Sequence, residues 1–215
     1  MIIAVDGPAA AGKGTLWRRL AKLYGLAFLD TGGLYRATAL KVLDGGGDPA
    51  DPATAEAAAK AIAPADLDTP RLREDRVSAA ASMVAAIPGV RAALLAFQRD
   101  FARHPPAGFQ GALLDGRDIG TVVCPDATVK LYVTASPEAR AARRFKELQE
   151  SGAGTIYQRV LQDIEQRDAR DRERQTAPLR PADDALQLDT TALDADAAFA
   201  KAADLIARKL EAPPR

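Results

Sequence analysis

The feature that most constrains this chain is the junction at residues 2–24, where an apolar run, a glycine-rich turn and an amphipathic stretch follow one another directly. Ile2-Ile3-Ala4-Val5 is short, apolar and rich in β-branched side chains, and it ends at Asp6-Gly7. That is the pattern of a strand buried in a parallel sheet. From Lys13 to about Tyr24, Leu16, Leu20 and Leu23 recur at helical spacing, and Gly25 provides a stop. Between strand and helix lies Gly7-Pro8-Ala9-Ala10-Ala11-Gly12-Lys13-Gly14-Thr15. Gly7 and Gly12 are five positions apart and Lys13 follows directly, the spacing with which backbone N–H groups turn inward around phosphate oxygens. A side chain at either glycine would block that approach. Lys13 adds a point charge for the outer phosphates, and the start of the helix adds its positive end. A turn that merely joins strand to helix is the competing reading; strand context, spacing, lysine and hydroxyl together favour a phosphate cradle, here for ATP.

The rest of the chain repeats the alternation of strand and helix. Ala27-Phe28-Leu29 reads as a second strand, with Asp30-Thr31 able to cap the helix that carries Leu34, Tyr35 and Arg36. Residues 44–70, punctuated by Gly45-Gly46-Gly47, Pro49, Pro52, Pro64 and Pro70, read as loop, short helix and loop. Helical patterning runs from about Glu74 to Ala86, breaks at Pro88-Gly89 and resumes from Val90 to about Arg103. Residues 111–115 and 128–134 read as strands, and Ser136-Pro137-Glu138 is a strong helix start. Gly152 and Gly154 precede a helix to about Arg172, then come a last strand at 185–189 and a last helix at 194–210. This order predicts a parallel sheet covered by helices on both faces.

Composition excludes several alternatives. The 29 basic and 29 acidic residues leave no net field to steer the chain onto nucleic acid or an anionic membrane. Cys124 is the only cysteine and His104 the only histidine, so neither a disulfide nor a Cys/His zinc site can be assembled. No window approaches the roughly 20 apolar residues of a membrane span, and the amino terminus has no leader-like pattern. A cytoplasmic, monomeric protein with small-molecule partners, and no nucleic-acid or membrane partner, is expected.

A second unusual stretch lies near the carboxyl end. No lysine occurs between Lys146 and Lys201, yet arginine stands at 159, 167, 170, 172, 174 and 180. The acids Asp163, Glu165, Asp168, Asp171 and Glu173 nearly balance them, so a solvated helix laced with ion pairs is one reading. Arginine's planar fork grips phosphate oxygens in two places, which a solubilising face does not require. A closing arginine segment suits phosphoryl transfer, whose transition state spreads negative charge over the transferred oxygens.

Several blocks carry a resemblance to a known family. Gly14 stands where the magnesium-binding Ser or Thr of a phosphate loop is usual, and the Lys13-Gly14-Thr15 form is similar to that of nucleoside monophosphate kinases. Leu29-Asp30-Thr31-Gly32 with Tyr35-Arg36, Ala80-Ala81-Ser82, Ala86-Ile87-Pro88, Val90-Arg91, Asp115-Gly116-Arg117-Asp118 with Gly120-Thr121-Val122-Val123, Arg167-Asp168 through Arg170-Asp171 and Arg174, Ala177-Pro178-Leu179 and Asp189-Thr190-Thr191 follow in order. With the phosphate loop, this set resembles the bacterial cytidylate kinases over most of the chain.

The resemblance implies a P-loop NTPase α/β/α fold with a five-stranded parallel sheet, a short helical monophosphate-binding insert and an arginine-rich lid. The core is expected at residues 1–43, 104–150 and 176–215, the insert at about 44–103 and the lid at about 151–175. It further implies that residues 7–15 bind ATP with Mg2+, Thr15 meeting the metal directly or through water. Ser82, Arg91 and Asp118 would meet cytosine, with Tyr35 against the base. Asp171 and Arg167 would meet the sugar, Arg36, Arg117 and Arg174 the monophosphate, and Thr31 the same substrate. Lys13, Arg167, Arg170 and Arg174 would carry the transfer of the terminal phosphoryl group of ATP to CMP or dCMP. Leu67-Asp68-Thr69-Pro70-Arg71-Leu72-Arg73 is shorter than the corresponding stretch of the long bacterial form, so the insert is expected to be small and mostly helical.

A carboxylate at Asp118 could accept from the exocyclic amino group of cytosine, whereas uracil offers a carbonyl there. Taken without the surrounding blocks, Asp118 could equally hold a turn, Ser82 cap or pack a helix, and Tyr35 fill a helix face. Asp30 and Asp115 each end a strand where ligands gather in open α/β sheets, and either could instead hold a cap or a turn.

Overall fold

A computed structural model of the chain describes residues 1–150, 152 and 154–211, with the side chains of Lys13 and Thr15 outside the described set. Ser151 and Ala153 of the expected lid, and residues 212–215 of the expected core, also lie outside it. The chain divides into two compact units, Met1–Leu29 with His104–Arg215, and Asp30–Arg103.

The first unit is built on a five-stranded parallel sheet. Its strands are β1 (Ile2–Asp6), β2 (Ala27–Asp30), β3 (Ala112–Gly116), β4 (Val129–Thr134) and β5 (Leu186–Asp189), in the spatial order β2-β3-β1-β4-β5. β1 is central: Val5 lies opposite Asp115 of β3 on one side and opposite Leu131 of β4 on the other. The chain therefore changes direction of travel across the sheet beside β1, the place where open α/β sheets collect ligands at strand carboxyl ends.

Helix α1 (Lys13–Leu23) follows β1, and the carboxyl-terminal helix α8 (Ala195–Glu211) packs beside it. Leu16, Trp17 and Leu20 of α1 and Ala198, Ala202 and Ile206 of α8 bury themselves with Ile3, Val5, Leu113, Leu131, Val133 and Leu188. The alternation along the strands explains this face: Ile3 and Val5, or Leu131 and Val133, point the same way at a period of two.

The second unit holds α2 (Thr31–Asp44), α3 (Pro52–Lys60), α4 (Asp75–Val84) and α5 (Pro88–Arg103), with 3-10 turns at Pro64–Leu67 and Pro70–Arg73. α2 packs on α3 and α4, and α3 packs on α5. Asp30 caps α2 by accepting from the Gly33 N–H at 3.2 Å. The break expected at Pro88-Gly89 lies earlier, at Ala85–Ile87, because Pro88 opens α5 instead of interrupting it. A proline lacks only an N–H that the first helical turn leaves unpaired in any case.

Back in the first unit, α6 (Pro137–Glu150) starts as its sequence predicts, with the Ser136 hydroxyl accepting from the Ala139 N–H at 3.2 Å. α7 (Tyr157–Glu173) packs against α6 through Ala141, Val160 and Ile164, with Phe145 and Tyr157 edge to face at 6.1 Å. Among the described residues no single helix is long and apolar enough to cross a membrane.

Candidate functional site

The loop between β1 and α1 is shaped by close approach. Gly7 has φ 152°, and a Cβ there would stand 2.1 Å from the Val133 carbonyl oxygen of β4, so any side chain would force the strand aside. Gly12 takes φ 80° immediately before α1. Gly12, the residue before α1, has no side chain to cap it and the first turn holds no acid, an arrangement in which the positive end of the helix favours an anion. Ala10 also lies in the left-handed region, at φ 57°, which for a non-glycine residue costs roughly 1–3 kcal/mol and must be held by its surroundings.

Those surroundings grip the loop by its carbonyls. An Nη of Arg140 donates to Ala9 O at 3.3 Å, and the buried Thr190 hydroxyl lies 3.3 Å from Ala11 O. Thr190 is in turn held by Arg143, whose guanidinium donates to its hydroxyl at 3.2 Å and to its carbonyl, and to Leu193 O at 3.3 Å. Carbonyls drawn outward leave the N–H groups of the same peptides facing inward, which is what a phosphate cradle requires. Arg140, Arg143 and Thr190 carried no role in the sequence reading; arginines at the start of α6 look like surface charges until the fold buries one of them.

Asp6 is a further residue whose part was hidden. Its two carboxylate oxygens accept from Ile119 N at 2.7 Å and Gly120 N at 2.8 Å. The segment it holds, Ile119–Val123, is a single wide turn in which Cys124 N donates to Ile119 O at 2.7 Å. Asp118 opens that turn, its carbonyl accepting from Val122 N and Val123 N, and its side chain is buried. Such i-to-i+5 turns are rare and occur mostly at functional sites.

Next to Asp118, Arg117 enters a cluster around Asp171 of α7. Arg117 Nε donates to one Asp171 oxygen at 3.1 Å, and Arg174 donates to the other. The carboxylate is 2% exposed, and burial alone would raise its pKa. The charges of Arg117, Arg174 and Arg167 overcome that and hold it below the usual carboxylate range. Arg117, Arg167, Asp171 and Arg174 are thus brought together, with the Leu179 N–H donating to Asp171 O at 2.8 Å to fold the following segment back on the helix. Arg170 is not part of this cluster: it is exposed, and its Nε donates to Gln166 O of its own helix at 3.3 Å.

The second unit carries another group of the expected residues. Arg36 donates to Asp30 at 2.5 Å, and Gly32 makes room for the pair, since a Cβ there would lie 3.0 Å from the Arg36 guanidinium. The Arg91 guanidinium sits 5.7 Å from the centre of the Tyr35 ring, a cation–π contact. Ser82 on α4 donates to Ser78 O at 3.4 Å, and Thr31 is buried at the start of α2.

The family model described as cytidylate kinase matches residues 3–208. This chain belongs to the cytidylate kinase family. It is 62% identical over 208 residues to a cytidylate kinase of Paramagnetospirillum magneticum, covering 97% of this chain and 98% of that one. A cytidylate kinase of Granulibacter bethesdensis is 58% identical over 209 residues, with the same coverages. At the level of fold alone, a crystal structure of an uncharacterized protein from Eubacterium ventriosum matches with a TM-score of 0.53 at 14% identity, covering 97% of this chain and 98% of that chain.

Proposed function

We propose that the chain transfers the terminal phosphoryl group of ATP to CMP or dCMP, giving ADP and CDP or dCDP. The observation that carries this reading is the pair formed by the loop at residues 7–15, with Gly7 and Gly12 at positive φ, and the arginine-gripped Asp171, together with buried Asp118, within a member of the cytidylate kinase family.

An oxygen of the acceptor monophosphate forms the new bond to the terminal phosphorus of ATP, and the bond to the ADP oxygen breaks in line. The acceptor is already anionic, so no general base is needed, and positioning and charge stabilisation remain. Residues 7–15 hold the ATP phosphates, with Lys13 on the outer ones. Arg117 and Arg174 grip the acceptor phosphate and Arg36 joins them, while Arg167 and Asp171 hold the sugar. Ser82, Arg91 and Asp118 read the base, Tyr35 lies against it and Thr31 supports the same substrate. Arg167 and Arg174 also meet the charge that develops on the transferred group; Arg170, exposed in this structure, would join only after its side chain turns inward. In this division residues 44–103 serve as the acceptor insert and the segment at 151–175 as the lid.

Magnesium fits this site on the chemistry of its donors. Among the described residues no group of three or more His, Cys, Asp or Glu side chains could hold a metal, so phosphate oxygens and water would supply most of the ligands, as magnesium prefers. Thr15 is the protein group that would complete the shell, directly or through water. When bound, the ion neutralises charge across the ATP phosphates.

The test is a panel of acceptors, CMP, dCMP, UMP and AMP, with ADP formation measured for the native chain and for Asp118→Ala. Loss confined to the cytosine nucleotides supports base reading by Asp118. A uniform loss over all acceptors removes Asp118 from that role, and a preference for AMP or UMP in the native chain contradicts the reading as a whole.

A further inference from the structure

Two buried charged side chains play no part in the mechanism above. Arg140 of α6 is 1% exposed and Asp168 of α7 is 3% exposed. Arg140 donates from its two terminal nitrogens to the two oxygens of Asp168, at 3.0 Å and 2.5 Å. Its remaining hydrogen bonds go to the backbone, from Nε to Ala135 O at 2.9 Å and from Nη1 to Ala9 O at 3.3 Å. One planar cation therefore joins the residue that follows β4, the phosphate loop and α7.

Stability is a poor explanation for this arrangement. A buried ion pair recovers in attraction little more than it loses in desolvation, and well-packed apolar side chains of similar volume often do as well or better. An apolar pair could not, however, donate to Ala9 O. The neighbouring residue, Ala10, occupies the left-handed region and packs against the cluster of Ala141, Val160 and Ile164 where α6 meets α7. The contacts that hold the strained loop are thus the same contacts that seat α7. One residue before Asp168 stands Arg167, and one turn after it stands Asp171.

We propose that Arg140 and Asp168 are a positioning pair that couples the two substrate sites: the loop shape set by ATP fixes the seat of the acceptor-binding face of α7, so that each substrate tightens the other. This rests on the assignment of α7 to the CMP side made above. The coupling is reciprocal by thermodynamic necessity.

Calorimetric titration of CMP, with and without a non-hydrolysable ATP analogue and magnesium, tests it on the native chain and on the double variant Arg140→Met/Asp168→Leu. In the native chain the analogue should tighten CMP binding at least about fivefold, and CMP should tighten the analogue by the same factor. In the double variant that factor should fall to near one while CMP alone binds much as before; the analogue alone should bind more weakly, because Ala9 O has lost its donor. Its kcat should drop about 10- to 100-fold from misplaced groups, and its thermal midpoint should stay near the native value. Arg140→Lys keeps the positive charge but cannot serve Ala135 O, Ala9 O and both carboxylate oxygens together, and should lose part of the factor; if the double variant fails to fold, this variant decides. A native coupling factor near one, or a factor unchanged by either variant, overturns the proposal. Absence of CMP binding to the native chain would instead overturn the assignment of the acceptor.

Discussion

Asp168 and Asp171 stand one helical turn apart on α7, both almost wholly buried and both paired with arginine, yet their partners differ in kind. Asp168 faces Arg140, whose side chain is 1% exposed and whose four hydrogen bonds go to protein oxygens. Asp171 faces Arg117 and Arg174, whose side chains remain 20% and 15% exposed. The first pair ties the helix to the loop; the second keeps a carboxylate charged. Burial of the carboxylate therefore says little about an ion pair's role until the exposure of the cation is compared as well.

The largest expected effect that separates the two pairs is on stability. Arg140→Ala leaves buried Asp168 with only Arg172 near it among the described arginines, 4.0 Å away and largely exposed, so unfolding free energy should fall by about 3–5 kcal/mol in urea titration. A fall of less than 1 kcal/mol, on the scale of a surface pair, would break the contrast. Arg174→Ala should act on turnover instead, lowering kcat/KM for CMP by about 100-fold, or about 2.7 kcal/mol, in steady-state assays while the chain stays folded. Asp6→Asn tests a buried carboxylate that accepts from two backbone N–H groups: an amide presents only one acceptor to Ile119 and Gly120, so about 1–3 kcal/mol of stability should be lost in the same titration.

The smallest effect is a pH dependence. Because the folded-state pKa of Asp171 is depressed, its contribution is fully present above its unfolded value of about 3.9 and is lost as pH falls through the folded value. Acid unfolding of Asp171→Asn should lack that component below about pH 4, leaving a shallower acid limb than the native chain shows. Equal limbs would remove Asp171 from the ionised state inferred for it.

The contrast also marks what could be read from the sequence. Strand β1, the loop with Gly7 and Gly12, the Asp30 and Ser136 caps and the parallel order of strands followed from local pattern, because period, spacing and cap chemistry act over a few residues. Asp171 and Arg117 stood out through motif blocks and the shortage of lysine. Arg140 did not, since nothing within α6 tells which of Arg140, Arg143 and Arg144 will be buried; that depends on α7 arriving 28 residues later. The same holds for Asp6, whose partners lie 113 and 114 residues away, and for Thr190 beneath the loop. The start of α5 at Pro88 was misplaced for a simpler reason: proline signals either an interruption or a beginning, and only the preceding three residues, which leave the helix, decide between them.

The central claim is that ATP and CMP meet on this chain for phosphoryl transfer, and ADP release in the presence of ATP and magnesium tests it directly. Adding CMP should raise the rate far above the background set by ATP alone, with one CDP formed for each ADP, and adding UMP or AMP should raise it much less. ADP formation indifferent to CMP, or faster with AMP than with CMP, would contradict the claim.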